Sequence, residues 1–454
     1  MAHRQLHFGL NVLSAGMHPA AWLVKESDPL GYIKPEQWRR LVQIAEQGPF
    51  DAIFLADEPG LNLGPDGTLP GPSWAALDPL VLLSSLASIS SYVGLAGTLS
   101  TTYEEPYNVA RRFASLDHVS RGRAAWNVVT TVDATVAGNF GNKPHPPREE
   151  RYARAAEFIE VTRALWDSWD DEAHIADKAS RRFTAPGAIR PINHRGECFH
   201  VDGPLNVPRS PQGHPVLIQA GGSPAGLDLA ARYADVVFAA QASLEDALAY
   251  TNDLRRRTLA YGRPADSIRV MPGLSYVLGG TEAEAQARNA ELNELAGEQR
   301  REWLAWQISV EPEVLEWDKP LPEWLLNTKE AASGAQGARD IVLNLARRER
   351  LTVRQLLDRI ITWHRLVVGS PEQLADAITE WFLAGAVDGF NLMPDVEPSG
   401  AEVFVEHVVP ILRRHGIFRH EYQGTTLREH LGLPRPKRRQ PAARSYVEAS
   451  IGAA

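Results

Sequence analysis

The feature of this sequence that most constrains its fold is a series of eight short apolar runs, each followed by a pattern typical of an amphipathic helix. The clearest helix follows the fourth run, where Phe158, Thr162 and Leu165 lie on one face. Eight apolar strands that each precede a helix predict an α/β fold, a TIM-like (β/α)8 barrel of parallel strands covered by helices. The runs lie at residues 6–12, 50–57, 91–102, 123–131, 215–221, 235–240, 268–279 and 388–394.

A doubly wound open sheet is the structural alternative to the barrel, because it uses the same alternation of strands and helices. The dinucleotide-binding version of that fold carries G-x-G-x-x-G after its first strand, and this motif does not follow the first run here. The barrel is therefore the favoured architecture.

Two connections are longer than a barrel needs, which predicts insertions after strands 4 and 7. Residues 169–210 contain turn-forming sequence that indicates a hairpin excursion, and residues 281–387 are rich in tryptophan. The second insertion is either an apolar lid over a substrate or a helical pair that packs on the barrel or on a partner subunit. We expect one domain over residues 1–432 and a flexible, basic tail over 433–454.

Composition excludes several classes of protein. Among the 454 residues the formal net charge is −9, which argues against a nucleic-acid-binding protein. No run of 18 apolar residues is present, so we expect no membrane span. Cys198 is the single cysteine, which suits a reducing compartment and a cytoplasmic location. It lies in HRGECFH, which we interpret as a polar hairpin rather than a metal site.

The fourth run, GRAAWNVVTT, ends in small hydrogen-bonding residues, which is unusual for a core strand. In a parallel barrel the carboxyl ends of all strands meet at one mouth, so these residues would face a site. The predicted tips offer neutral donors and acceptors but no nucleophile–base pair and no pair of matched carboxylates. Such a site suits a flat cofactor that performs the redox chemistry. The polar tip residues are His18, Asp57, Thr101, Thr102, Tyr103, Asn127, Thr130, Thr131, Gln219, Gly222, Ser223 and Asn391.

A phosphate site is suggested by AGGSPAG at residues 220–226, where two glycines precede a Ser-Pro helix start. The amino terminus of a helix presents free N–H groups to an anion. Arg148 and Tyr152 are four residues apart on the predicted fourth helix, share a face and could both reach a phosphate oxygen. The alternatives are that Ser223 is only a helix cap and that Arg148 belongs to a solvated first turn.

Several ordered motifs in the sequence resemble those of the bacterial-luciferase-like flavin monooxygenases. They include FLAD, LSTTYEEPY, RAAWNVVTT, ERYARAAEF, VLIQAGGSPAG, DGFNLM and EYQGTTLREHLGL, and the resemblance runs from about residue 5 to residue 433. It is strongest to the branch that contains nitrilotriacetate, dibenzothiophene-sulfone and long-chain alkane monooxygenases. The resemblance implies a TIM-like barrel that uses O2 and reduced FMN, FMNH2, supplied by a separate NAD(P)H:flavin reductase.

The resemblance also implies roles for particular residues. Asp57 and Thr102 match flavin-contacting positions, Asn127 matches a position near the reactive edge of the flavin, and Tyr152 and Ser223, with Gly222 beside it, match phosphate-binding positions. His18 matches a pocket residue and is the candidate for proton transfer; with Asn127 and Thr102 it forms the predicted catalytic set.

The sequence departs from the family pattern at two positions that bear on these roles. Arg148 stands where the family commonly has histidine and keeps a donor for the phosphate. Val132 replaces a histidine of the alkane enzyme, so the proton chemistry of that enzyme does not transfer.

We therefore predict a two-component monooxygenase that oxygenates a small, apolar or aromatic substrate. An F420-dependent oxidoreductase of the same fold is the alternative, and a flavin-binding protein without catalysis is a further one. The resemblance also implies a homodimer or homotetramer, since relatives commonly form these assemblies.

Overall fold

A computed structural model describes residues 4–61, 63, 67–69, 71–72, 76–141, 144–327, 336–361 and 363–438 of the chain. Its main sheet has all eight predicted runs as parallel strands, and an added antiparallel strand lies at one edge. The strands of the main sheet are β1 (His7–Asn11), β2 (Ala52–Leu55), β3 (Gly94–Ser100), β4 (Ala124–Val129), β9 (Val216–Gln219), β10 (Val236–Val237), β11 (Arg269–Val270), β12 (Gly273–Leu278), β13 (Ile360–Ile361), β14 (His364–Gly369) and β15 (Gly389–Pro394).

The seventh predicted run closes this sheet into a barrel because its two halves pair with different neighbours. The first half, β11, pairs with β10, and Met271 and Gly273 continue that ladder onto the carbonyls of Val237 and Ala239. The second half, β12, pairs with β15, which itself pairs with β1. The eight runs therefore form a closed ring, which confirms the barrel and excludes the open doubly wound sheet.

Alternate residues of each strand face the inside and the outside of this ring. Large side chains on the outer face, such as Phe8, Trp126 and Leu392, pack under the helices in the main hydrophobic core. Inside the ring, the part nearer the amino ends of the strands holds smaller residues and a few aromatic ones. The polar residues lie above them, towards the carboxyl ends of the strands.

The amino-terminal end of the barrel is closed by α15 (Leu427–His430), which lies within the EYQGTTLREHLGL motif. Leu427 and Leu431 are buried among the inward residues of the barrel, including Ala96 and Val216. A methyl group at Gly94 would lie 2.7 Å from a Leu427 methyl carbon, so glycine makes room for this plug. The motif therefore has a structural function at the end opposite the mouth.

Helices cover the barrel between the strands, as predicted, and α2 is the helix after the second run, for which the sequence patterns gave no bounds. Within the described part of the chain, no helix is long and apolar enough to cross a membrane. The helices, besides α15, are α1 (Pro35–Gln47), α2 (Pro79–Leu86), α3 (Pro106–Val119), α4 (Arg148–Trp166), α5 (Pro224–Tyr233), α6 (Leu244–Ala260), α7 (Glu282–Ala296), α8 (Gln299–Ile308), α9 (Glu323–Asn327), α10 (Gln336–Glu349), α11 (Val353–Leu357), α12 (Pro371–Leu383), α13 (Ser399–Val403) and α14 (Val409–Arg414).

The first insertion forms two small hairpins, β5–β6 (His174–Asp177 with Arg182–Thr184) and β7–β8 (His194–Arg195 with His200–Val201). The second hairpin contains HRGECFH, which confirms the hairpin interpretation of that motif.

The second insertion has a hydrophobic core of its own, formed by residues such as Leu304, Leu325 and Leu356. Trp303 and Trp317 pack against this core, whereas Trp306 and Trp324 are exposed. The tryptophans therefore divide between packing and surface positions, and the lid role stays a prediction.

The start of the predicted tail is in contact with the first insertion. Leu433 is buried, Arg435 lies 2.5 Å from Asp171, and Arg438 lies 3.0 Å from Asp170. Residues 439–454 lie outside the described residues, so the prediction of a flexible tail remains a prediction for them.

Replacing Leu427 with alanine should lower the free energy of unfolding by about 2–5 kcal/mol, because it removes fully buried atoms beneath the barrel. Chemical unfolding followed by circular dichroism measures this loss. Leu383→Ala is the matched control, since Leu383 is 68% exposed and its truncation should cost less than about 0.5 kcal/mol. Equal losses in the two variants would contradict the role of the plug.

Candidate active site

Asn127 lies inside the barrel with its side-chain amide held in one orientation. Its strand neighbour Trp126 packs outward against Phe113 and Phe158, so Asn127 points inward. Thr98 donates its hydroxyl proton to the carbonyl of Leu55 at 2.7 Å. The Thr98 oxygen therefore accepts a hydrogen bond from Asn127 Nδ2 at 2.9 Å. Asn127 Oδ1 is left buried without a partner among the described residues.

Other polar side chains on the inner face are also incompletely paired. Asn11 Oδ1, Ser275 Oγ and His364 Nδ1 are buried, and none has a hydrogen-bond partner in the described part of the chain. His364 stacks on Phe238 at 5.3 Å, and burial lowers its pKa to about 3, so the ring is neutral. Buried polar groups are normally hydrogen-bonded, so this concentration of unpaired atoms indicates a ligand site.

The predicted phosphate-binding residues come together at the amino terminus of α5. Ser223 caps the helix by accepting a hydrogen bond from Gly226 N at 3.1 Å. The hydroxyl of Tyr152 lies 3.4 Å from Ser223 Oγ. A methyl group added to Gly222 would meet no atom within 4 Å, so the space beside the cap is open. Tyr250 holds the loop by donating to the carbonyl of Gly221 at 3.1 Å.

Arg148 and Arg151 occupy different environments at the start of α4. Arg148 is the first residue of the helix and is exposed. Arg151 is 9% exposed, and its Nη1 donates to the carbonyl of Thr131 and to His145 Nε2. The phosphate role of Arg148 therefore stays a prediction, and Arg151 is the arginine that the fold brings to the mouth.

The second and third strand tips add further predicted residues to the mouth. Thr102 donates to the carbonyl of Thr130 at 2.8 Å, which ties the third tip to the fourth. Asp57 is half-buried, and desolvation, followed by the charge of Asp78, raises its pKa to about 6. Desolvation, with Asp133 and Asp57 nearby, raises the pKa of Glu58 to about 7. Both carboxyl groups line a cleft with Leu55, Leu77 and other apolar residues.

His18 is buried in the loop after β1, with both ring nitrogens engaged. Nδ1 accepts a hydrogen bond from Ala20 N at 3.2 Å, so Nε2 carries the proton and donates to Asn293 Oδ1 at 3.1 Å. Burial lowers the pKa of His18 to about 4. These contacts describe a neutral bridge from the barrel to α7 in the second insertion. The predicted proton-transfer role stays a prediction and would require one of these bonds to break.

The fold thus gathers Asp57, Thr102, Asn127, Tyr152, Gly222 and Ser223 around the mouth, with His18 behind its first loop and Arg148 at its rim. The sequence patterns did not single out Thr98, His145, Arg151 and His364, which the structure adds to this end of the barrel. Thr98 could have been found from alternation within β3, whereas the other three depend on contacts between distant segments.

Comparison with known proteins decides the family. The profile described as luciferase-like monooxygenase matches residues 10–388. Nitrilotriacetate monooxygenase component A of Aminobacter aminovorans is 42% identical, over 96% of this chain and 98% of its own length. The chain belongs to the luciferase-like monooxygenase family.

Solved structures of similar proteins agree with this assignment. EDTA monooxygenase from Chelativorans sp. BNC1 is 36% identical with a TM-score of 0.79, and the match covers 95% of this chain and 99% of that one. A riboflavin lyase solved with modified FMN and riboflavin is 33% identical with a TM-score of 0.82, covering 94% and 96%. This luciferase-like enzyme is therefore a flavin-dependent monooxygenase with the TIM-like barrel fold.

The raised pKa of Asp57 predicts a pH-dependent cost to stability. Ionisation is harder in the folded protein than in the unfolded chain, so stability falls as pH rises from about 4 to about 6 and stays lower above that range. Asp57→Asn removes this cost, and the variant should melt at a higher temperature than the parent protein at pH 8. The difference should shrink towards pH 4.

Thermal melting followed by differential scanning fluorimetry at both pH values tests this expectation. Asp177→Asn is the control, because hydrogen bonds from Ser180 and Ala179 lower the pKa of Asp177, which is the opposite direction to the shift of Asp57. That variant should not gain stability at pH 8. An Asp57→Asn variant that melts at or below the parent temperature at pH 8 would contradict the raised pKa.

Proposed function

We propose that this protein is the oxygenase component of a two-component system. It would take reduced FMN from a separate NAD(P)H:flavin reductase and use O2 to oxygenate a small organic substrate. Support for the partner comes from the relative named component A, a name that implies another component. Support for FMN comes from the family and from the similar lyase solved with modified FMN.

The residues at the amino terminus of α5 fit the phosphate of FMN. A phosphate group is suited by a hydroxyl, open space beside a helix terminus and a phenol, which are provided by Ser223, Gly222 and Tyr152. We call these three residues the Ser223 cradle. Arg148 lies one helical turn before Tyr152 and is exposed, so it could close over the phosphate from the rim. Its charge would then contribute to phosphate binding.

The observation that carries the proposal is the bare oxygen of Asn127. The hydrogen bonds from Asn127 to Thr98 and from Thr98 to Leu55 commit Nδ2 to the protein and leave Oδ1 as an acceptor. An unpaired buried acceptor costs about 1–3 kcal/mol, which a ligand N–H group would relieve. The flavin ring system carries N–H donors, so Asn127 suits its polar edge.

Reduced FMN, when bound, supplies the electrons with which O2 is activated and one oxygen atom is transferred to the substrate. The side chains of this protein would orient the ring and exclude water. Apolar walls inside the barrel are formed by Phe54, Phe238 and Met393, with Phe54 and Phe238 in edge contact at 5.2 Å. Thr102 keeps the third and fourth strand tips together beneath the site.

We further propose an apolar or aromatic substrate rather than a polyanionic one. The cleft beside Asp57 and Glu58 has apolar walls, and those two carboxyl groups would repel a polycarboxylate once they ionise. The relatives named for nitrilotriacetate and EDTA make aminopolycarboxylates the competing class.

A coupled assay tests the activity. Purified protein, an FMN reductase, NADH and O2 would be incubated with nitrilotriacetate, EDTA, a planar aryl sulfone and a long-chain alkane, and products identified by mass spectrometry. The proposal predicts incorporation of one atom from 18O2 into an apolar or aromatic compound. Hydride transfer with F420 under anaerobic conditions, without any oxygen-dependent product, would overturn it.

Two substitutions test the phosphate site. Ser223→Ala should weaken the binding of reduced FMN by about tenfold, because it removes a hydrogen-bonding group worth about 1 kcal/mol or more. Arg148→Ala should weaken binding by a smaller factor that diminishes at high salt. Anaerobic fluorescence titration measures both affinities.

Arg111→Ala is the control for the loss of a positive charge, since Arg111 is exposed on α3. It should leave the affinity unchanged. Unchanged affinity in Arg148→Ala would remove that residue from the site, and unchanged affinity in Ser223→Ala would reject the cradle.

A further inference from the structure

Three side chains form a hydrogen-bonded chain at the rim of the barrel, and none of them belongs to the predicted flavin-binding set. Tyr103 Oη lies 2.9 Å from His145 Nδ1. His145 Nε2 is bonded to Nη1 of Arg151, which also donates to the carbonyl of Thr131. The chain therefore joins the tip of the third strand to the start of α4.

The direction of each hydrogen bond follows from the guanidinium, because arginine can only donate. Nε2 of His145 must accept from Arg151 and therefore carries no proton. A neutral imidazole then carries its proton on Nδ1, and this N–H donates to the oxygen of Tyr103. Burial and the charge of Arg151 lower the pKa of His145, which agrees with a neutral ring.

These bond directions determine which hydrogen bond the phenol of Tyr103 can still make. Its oxygen already accepts a hydrogen bond from His145, so its own proton is free to be donated elsewhere. The ring of Tyr103 stacks on Phe140 at 4.6 Å with an angle of 13° between the planes. Stacking fixes the ring and the histidine fixes the hydroxyl, so the donor has a defined position.

We propose that Tyr103 is a hydrogen-bond donor to the organic substrate, held ready by His145 and Arg151 as positioning residues. The inference rests on the proposed monooxygenase function and adds a feature of its substrate. The molecule would place a flat apolar part against the Tyr103–Phe140 pair and an uncharged acceptor atom, such as a carbonyl or sulfone oxygen, at the phenol.

The position of Tyr103 favours the substrate over the flavin. Tyr103 is half-buried and its stacking partner Phe140 is 39% exposed, so the pair lies at the outer rim. Asn127 and the Ser223 cradle, which suit the flavin ring and its phosphate, lie on the fourth strand and after β9. Desolvation raises the pKa of Tyr103, against the opposing charge of Arg151 and with a smaller contribution from Asp133, so the phenol keeps the proton that it would donate.

The histidine tautomer can be measured without flavin or substrate. Long-range 1H–15N NMR of protein labelled at its 14 histidines, with His145→Gln to assign the signal, reports which ring nitrogen carries the proton. The proposal predicts a neutral His145 with the proton on Nδ1 at pH 7. A proton on Nε2 would overturn it, whatever the outcome of the oxygenation assay.

Binding measured with two probes of the same shape tests the donor itself. Dibenzothiophene sulfone is flat and carries two acceptor oxygens, whereas fluorene is flat and has none. In the presence of oxidised FMN, the parent protein should bind the sulfone about tenfold more tightly than fluorene. Tyr103→Phe should abolish this preference while retaining the stacked ring. Absence of the preference in the parent protein, or its survival in the variant, would overturn the proposal.

Variants around Tyr103 separate positioning from structure. Tyr107→Phe is the matched control, because Tyr107 lies on α3 and its hydroxyl donates to the carbonyl of Pro204, outside the hydrogen-bonded series of Tyr103, His145 and Arg151. It should keep the preference. His145→Gln should reduce the preference in the parent but not in the Tyr103→Phe background. A His145→Gln variant that keeps the full preference would overturn the positioning role of His145.

Flavin affinity distinguishes failure of this inference from failure of the proposed function. Tyr103→Phe should leave the affinity for reduced FMN unchanged. A weaker affinity would move Tyr103 to the flavin and overturn its assignment to the substrate, with the monooxygenase function intact. A parent protein that shows the predicted tautomer and sulfone preference but no oxygen-dependent product would instead reject the function alone.

Discussion

The arrangement of the mouth depends on the change of pairing partner in the middle of the seventh strand. The ladder to β10 extends as far as the hydrogen bond from Gly273 N to the carbonyl of Ala239, while the carbonyl of Pro272 already accepts a hydrogen bond from Asn391 N on β15. One run of sequence can therefore close a ring of eight strands while leaving an edge of β12 for the extra strand β14. Without this closure, Asn127 on β4 and His364 on β14 would not lie on the inner face of one barrel.

Closure also explains the division of the interior into two regions. At the amino-terminal end, small residues together with Leu427 and Leu431 fill the ring. At the carboxyl end, polar residues replace them and several of their atoms are buried without partners. At Gly9, an added methyl group would lie 2.0 Å from Asn391 Oδ1, so the absence of a side chain leaves room for an inward amide. The well-packed amino-terminal end of the barrel therefore stabilises the carboxyl end, where several polar atoms lack partners among the described residues.

Much of this fold could be predicted from sequence because hydrophobic periodicity is a local signal. The eight apolar runs and the two long connections identified every barrel strand and both insertions. The strand β14 was not predicted, since its sequence belongs to the insertion and its place is set by pairing with β12. The bounds of α2, the helix after the second run, were not predicted, because PLVLLSSL is apolar on nearly every side and lacks a clear helical stripe.

The site was predicted less completely because its decisive features are relationships between segments. Ser223 and Tyr152 were found from a helix cap and a helical spacing, and the fold brings their hydroxyl groups to 3.4 Å. The orientation of Asn127 depends on Thr98, which depends on a carbonyl of β2, and no local pattern contains that chain. The contacts of His145 and Arg151 depend on the loop before α4 lying against the tips of β3 and β4, so no local sequence pattern predicts them.

The central claim is that the bare oxygen of Asn127 and the Ser223 cradle hold opposite ends of one flavin. A crystal structure of the protein soaked under anaerobic conditions with reduced FMN, the form whose reactive-edge nitrogen carries a proton, tests it most directly. The account predicts the phosphate within hydrogen-bonding distance of Ser223 and a flavin ring nitrogen about 2.7–3.2 Å from Asn127 Oδ1. A flavin bound elsewhere, or one whose ring leaves Asn127 Oδ1 unpaired, would contradict it.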